Sequence, residues 1–178
     1  ENVKFDAKTH EEASLCSEKW YPYNKGGEFR KWYGNNDFVV NWYRDGKDLR
    51  NDRKAVLRNR PFYFKPCFSW SLVTSSVAAF RYKPMGHIFD VAGMSCFSQT
   101  NLLYLLALCN TKVVMKILEI IAPTINYQCG DIANIPVIVT AKESKQNIEK
   151  RVESCINISR KDWDSFETSW DFKRNPLV

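Results

Sequence analysis

The chain has 178 residues, 44% of them hydrophobic and 14% aromatic, enough for one domain with a real core and too apolar for disorder. Its longest apolar run, residues 102–109, is too short to span a bilayer, and its first residues carry no signal-peptide pattern. The net charge of +6 is uneven: residues 19–83 hold 14 Lys and Arg against 5 Asp and Glu, a local +9, while the remainder holds 12 against 15. Such a one-sided basic field suggests a polyanionic partner.

Residues 8–17 fit a short helix, with Thr9 as N-cap and Glu12 at capping-box spacing. Next comes KWYPYNKGGEFRKWYGN, residues 19–35, with six aromatics, four basic residues and three glycines. Trp20, Phe29 and Trp32 fit either a core or a stacking surface. Read as packed, they hold a loop from which Lys25, Arg30 and Lys31 project. Residues 37–43 read as a strand ended by Asp45-Gly46, and residues 47–58 as a charged helical or irregular segment. Strand-like runs follow at 69–74, 78–83 and 87–91. Lys83-Pro84-Met85-Gly86 between the last two predicts a tight hairpin.

Beyond Phe97, apolar residues recur at helical spacing over 100–121, in two segments broken near Asn110-Thr111 and stopped by Pro123. Gly130-Asp131 opens a short turn capped by Asp131. Residues 135–139 read as a strand. A last helix, about 141–158, buries Ile148, Val152 and either Cys155 or Ile156. The sum is one α+β domain over 1–178, with a twisted, mostly antiparallel sheet and helices packed on one side.

Six cysteines occur, none in a C-x-x-C pair, and only His10 and His87 accompany them, so no zinc site is expected. They read as reduced thiols of a cytoplasmic protein. Phosphate-loop, dinucleotide, nucleophile-elbow and H-E-x-x-H signatures are missing, and the spacing of Asp90 and Asp131 does not argue for a carboxylate pair. No catalytic residue is expected. Binding remains, because aromatics beside Lys and Arg stack on bases and pair with phosphates. The phosphate candidates are Lys25, Arg30, Lys31, Arg44, Lys47, Arg50, Arg53, Arg58 and Arg60. Base readout needs side chains on a rigid tip, and the expected hairpin offers Arg81, Tyr82, Lys83 and His87, with Ser75 and Ser76 in a second turn. The bland alternative pairs Arg81 with Asp90 inside the core. A nucleotide-dependent enzyme using Lys25-Gly26-Gly27 is a further, weaker reading.

The strings KWYPYNKGGEFRKWYGNNDFVVNW, FSWSLVTSSVAAFRYKPMGHIFDVAGMSCF and NYQCGDIANIPVI together resemble the C-terminal half of PglX-type adenine-specific DNA methyltransferases. These occur in BREX phage-defence systems and among fused type II restriction–methylation enzymes. The resemblance runs over essentially the whole chain, up to SWDFKRNPL. The helical NLLYLLALCNTKVVMKIL and the GDIANIPV that follows are looser, and similar to target recognition domains generally.

The resemblance implies a target-recognition-domain-like fold that reads double-stranded DNA by sequence. A separate catalytic part would bind S-adenosylmethionine, carry N-P-P-Y and methylate adenine at N6. This sequence has no such motif, so it is expected to hold neither cofactor nor metal. Its implied partners are double-stranded DNA, the rest of a parent chain and other defence-system subunits, with no membrane. The alternative, from a different class, is a protein-interaction or scaffold domain whose basic face meets an acidic partner.

Overall fold

A computed structural model describes residues 2–74 and 77–177. Helix α1, His10–Leu15, begins at the expected cap, where Thr9 Oγ1 accepts the Glu12 N–H at 3.1 Å. Glu12 does not complete a capping box; its carboxylate accepts the Lys8 N–H at 3.0 Å instead.

Two small sheets replace the one expected, and their pairing is mostly antiparallel. Strand β1, Trp20–Asn24, pairs antiparallel with β2, Phe38–Asn41. Strand β3, Cys67–Ser71, is the centre of the second sheet, flanked antiparallel by β4, Arg81–Lys83, and β6, Gly93–Cys96. Strand β5, Ile88–Phe89, returns to the first sheet and runs parallel to β1. The spatial orders are β2-β1-β5 and β4-β3-β6.

This topology removes the expected hairpin. Lys83-Pro84-Met85-Gly86 is a turn, but the strands on its two sides belong to different sheets. The turn is pinned inward: Gly86 has φ +92, and a Cβ there would lie 2.0 Å from the Phe5 carbonyl oxygen. Residues 135–139 form no strand either. Ile135 is buried, whereas Val139 is 95% exposed, and among the described residues no strand pairs with this run.

Helices α3, Leu102–Cys109, and α4, Lys112–Ile121, break where expected, for a specific reason. The Asn110 side chain bonds the Phe80 backbone twice, accepting its N–H at 3.2 Å and donating to its carbonyl at 2.8 Å. It replaces a strand neighbour, and Thr111 then caps α4 by accepting the Val114 N–H. Helix α5, Cys129–Ala133, starts with the Asp131 carboxylate accepting the Gln128 N–H at 2.8 Å. Helix α6, Lys142–Trp163, runs past the expected end at 158 and buries Val152, Ile156 and Trp163.

The apolar faces of α3, α4 and α6 enclose Phe68, Trp70 and Phe80 in the larger core. Burying a side chain as large as Trp70 contributes about 3 kcal/mol or less, and its indole N–H donates to the Tyr127 carbonyl at 2.9 Å. A second cluster joins Tyr21, Trp42, Tyr63, Phe64 and Ile88 beneath the first sheet. All six cysteines are free thiols.

Candidate nucleic-acid interface

The chain leaves β2 through Trp42 into Tyr43–Asn51, helix α2, whose start is not helical. Arg44, Asp45 and Gly46 have φ of 49, 57 and 69, three successive left-handed residues. Glycine is required at the third, since a Cβ there would meet the Trp42 ring at 2.8 Å. The turn drives the Asp45 carboxylate inward, where it is 5% exposed. It accepts hydrogen bonds from His10 Nδ1 at 2.5 Å, Trp42 Nε1 at 3.1 Å and Arg60 at 2.6 Å, with Arg50 3.5 Å away. One buried carboxylate thus fastens both ends of residues 44–60 to the body.

Between those fastenings the cations point out. Arg44, Lys47, Arg50, Arg53 and Arg58 are exposed, as is Lys54. Among the described residues, the side chains of Lys47, Arg53, Lys54 and Arg58 find no ion-pair or hydrogen-bond partner. Arg44 lies over the Tyr43 ring at 5.2 Å, and Arg50 and Arg60 are partly engaged by Asp45. The arm thus holds four cations without partners among the described residues on a fixed base.

The aromatic stretch is built differently. Its first rings belong to β1, with Tyr21 fully buried, and Tyr33 is 7% exposed in the larger core. Phe29 is half exposed, and Trp20 and Trp32 are half-buried. Trp32 pairs with Arg81 at the edge of β4, with φ 72. Arg30 does not project: it bonds Asp162 at 2.6 Å and lies 5.0 Å from the Trp163 ring and 5.8 Å from that of Phe166. Lys31 donates to the Asn110 carbonyl at 3.1 Å. Both tie the stretch to the helices. Lys25 alone of the three is exposed, 3.9 Å from Asp90.

The residues expected to read bases are largely enclosed. Arg81 and Lys83 are 1% and 0% exposed, His87 is buried and Tyr82 half-buried. With no hairpin there is no tip to enter a groove. Ser75 and Ser76 lie outside the described residues. Lys83 Nζ donates to the Gly34 and Asn35 carbonyls at 2.9 and 2.8 Å and to the Asn36 side chain at 2.5 Å, locking the end of the aromatic stretch onto β4. Burial, with the like charge of Arg81, pulls Lys83 down to about 7. Burial and the Lys83 charge push His87 down to about 3, so it is neutral in the fold. Arg81 does not pair with Asp90; it donates to Ser71 Oγ at 2.8 Å, and its Nε finds no partner among the described residues. Asp90 accepts instead from the Tyr23 hydroxyl and the Ala92 and Gly93 N–H groups.

A cavity of about 700 Å³ opens beside the arm, walled by aromatic rings of β1, β5 and the Phe62–Tyr63 segment. Neither it nor the arm's fastening by Asp45 was expected from sequence, although the Asp45-Gly46 turn signal marks the place. Among the described residues, no cluster of His, Cys, Asp and Glu could hold a metal ion, and no helix is long and apolar enough to cross a membrane.

Over 164 residues, 90% of the chain, it is 38% identical to the adenine-specific methyltransferase BrxX of Escherichia coli O9:H4 (strain HS). Over 168 residues it is 39% identical to the adenine-specific methyltransferase PglX of Lacticaseibacillus casei (strain Zhang). The chain is homologous to a segment of PglX-type adenine-specific methyltransferases. It spans 13% and 14% of the length of these two relatives. No protein-family model matches it.

Proposed function

We propose that this chain is the double-stranded DNA recognition module of an adenine-N6 DNA methyltransferase in a phage-defence or restriction–modification system. The observation that carries the reading is the arm at 44–60, where Lys47, Arg53, Lys54 and Arg58 stand exposed without protein partners on a base fastened by Asp45. Cations held this way meet phosphates without first giving up a protein acceptor. Lys25, Arg44 and Arg50, exposed but partly engaged, add to the positive charge. Arg30 and Lys31, already engaged by Asp162 and Asn110, hold the fold. With Arg81, Lys83 and His87 enclosed, base reading is assigned to none of them.

In this reading the rest of the parent chain supplies S-adenosylmethionine binding and the methyl transfer, in the cytoplasm where the DNA lies. Fluorescence anisotropy with labelled duplex tests it in the full-length protein. Reversing Lys47, Arg53 and Arg58 together to Glu should weaken binding to any duplex by roughly a hundredfold at low salt. Unchanged affinity would remove the arm from the DNA and favour the protein-partner reading.

A further inference from the structure

The cavity beside the arm brings aromatic rings, a cation and a carboxylate together. Its walls include a run of touching rings: Phe62 and Phe97 with centroids 4.9 Å apart, Phe97 and Phe89 at 5.4 Å, and Phe89 and Tyr63 at 5.1 Å. Phe62 stays 43% exposed despite its size. One cation, Arg58, lines the cavity without a partner among the described residues, and two more lie against its wall rings: Lys65 is 5.2 Å from the Phe62 ring and Lys25 5.8 Å from the Tyr23 ring. One carboxylate lines it as well. Asp90 Oδ1 is held by the Ala92 and Gly93 N–H groups, and Oδ2 by the Tyr23 hydroxyl at 3.1 Å. Lys25, at 3.9 Å, is its loosest neighbour.

We propose that this cavity receives one unstacked, amino-bearing nucleobase of the bound DNA. The inference rests on the DNA-binding reading above and adds a ligand site to it. Flat rings stack on any base. Arg58, Lys25 and Lys65 match the phosphates on either side of it. The fixed Asp90 carboxylate accepts an exocyclic amino group, which adenine, cytosine and guanine carry and thymine lacks. An apolar peptide or acyl chain would fill the walls but offer Arg58 no counter-charge. The volume lies within the range of about 300–1,000 Å³ usual for ligand sites.

The test uses the full-length protein with duplexes carrying 2-aminopurine, either paired or as a single-nucleotide bulge. The bulged duplex should bind roughly tenfold tighter than the paired one, with a change in 2-aminopurine emission. A bulged thymine should gain less. Phe62→Ala, at an exposed ring, should abolish the preference for the bulged duplex. Equal affinity for paired and bulged duplexes, with unaltered emission, would overturn the base site while leaving duplex binding intact. Retention of the preference in Phe62→Ala would overturn its location. Binding of free 2-aminopurine 5′-monophosphate as tightly as the bulged duplex would overturn the assignment to DNA. Duplex binding itself is decided separately by the paired duplex and the arm reversal.

Discussion

Two stretches of this chain carry the same sequence signal and meet opposite fates. Residues 19–35 and 44–60 are both rich in Lys and Arg, and the first also holds six aromatics. In the first, Arg30 finds Asp162 and two aromatic rings, and Lys31 finds a helix-end carbonyl, so these cations become internal ties. In the second, a single buried carboxylate takes Arg60 and holds Arg50 at 3.5 Å, while Lys47, Arg53, Lys54 and Arg58 stay unclaimed among the described residues. A basic residue is available to a partner when the fold offers it no acceptor, and composition alone does not report that.

The deepest cation gives the largest expected effect. Lys83→Ala removes three hydrogen bonds and leaves the Gly34 and Asn35 carbonyls unpaired beside a cavity, so unfolding free energy should drop by about 4 kcal/mol. Chemical denaturation measures it. A drop below about 1 kcal/mol would mean the lock is not needed.

His87 adds a pH dependence on the order of a few kcal/mol to the same region. Its folded value of about 3 lies below the ordinary 6.5, so the unfolded chain binds more protons between these limits. Its contribution is full above pH 6.5 and declines as pH falls toward 3. Denaturant midpoints measured across that window should fall less steeply in His87→Gln, once each is scaled to its own value at pH 7.

Asp45→Ala strands Arg60, His10 and the Trp42 indole N–H, at a cost of about 2–3 kcal/mol. It should also weaken duplex binding although Asp45 is buried, because the arm loses its base. A variant with wild-type affinity would show that the fastening is irrelevant to binding. Smallest are the surface changes. Arg30→Ala should cost about 1 kcal/mol through its ion pair and ring contacts, and Arg53→Ala less than about 0.5 kcal/mol. Thermal melts that reverse this order would undo the comparison between the two stretches.

Local signals in the sequence proved readable where local bonds decide the outcome. Thr9 caps its helix, Asp131 caps another, and the break near Asn110-Thr111 falls between α3 and α4 as the pattern indicates. Pairing of distant strands was not readable. The turn at 83–86 exists, but β4 pairs with β3 and β5 with β1, choices set by contacts far apart in the chain. The run at 135–139 has strand-like composition but no partner. Lys83 was misplaced on the surface because lysine is so seldom fully buried, and only its three acceptors account for the exception. Of the site, the arm was legible as charge, whereas the buried Asp45 and the aromatic cavity arise from tertiary contacts.

The central claim is that the arm, and not the aromatic stretch, holds the phosphates. Its most direct test is the salt dependence of duplex binding in two paired variants, Arg30→Gln with Lys31→Gln and Arg53→Gln with Arg58→Gln. Each phosphate contact contributes roughly 0.9 to the slope of log affinity against log salt. Loss of Arg53 and Arg58 should therefore flatten the slope by about 2, while loss of Arg30 and Lys31 leaves it unchanged in protein that remains folded. Equal flattening in both, or flattening only in the Arg30 and Lys31 variant, would contradict the account.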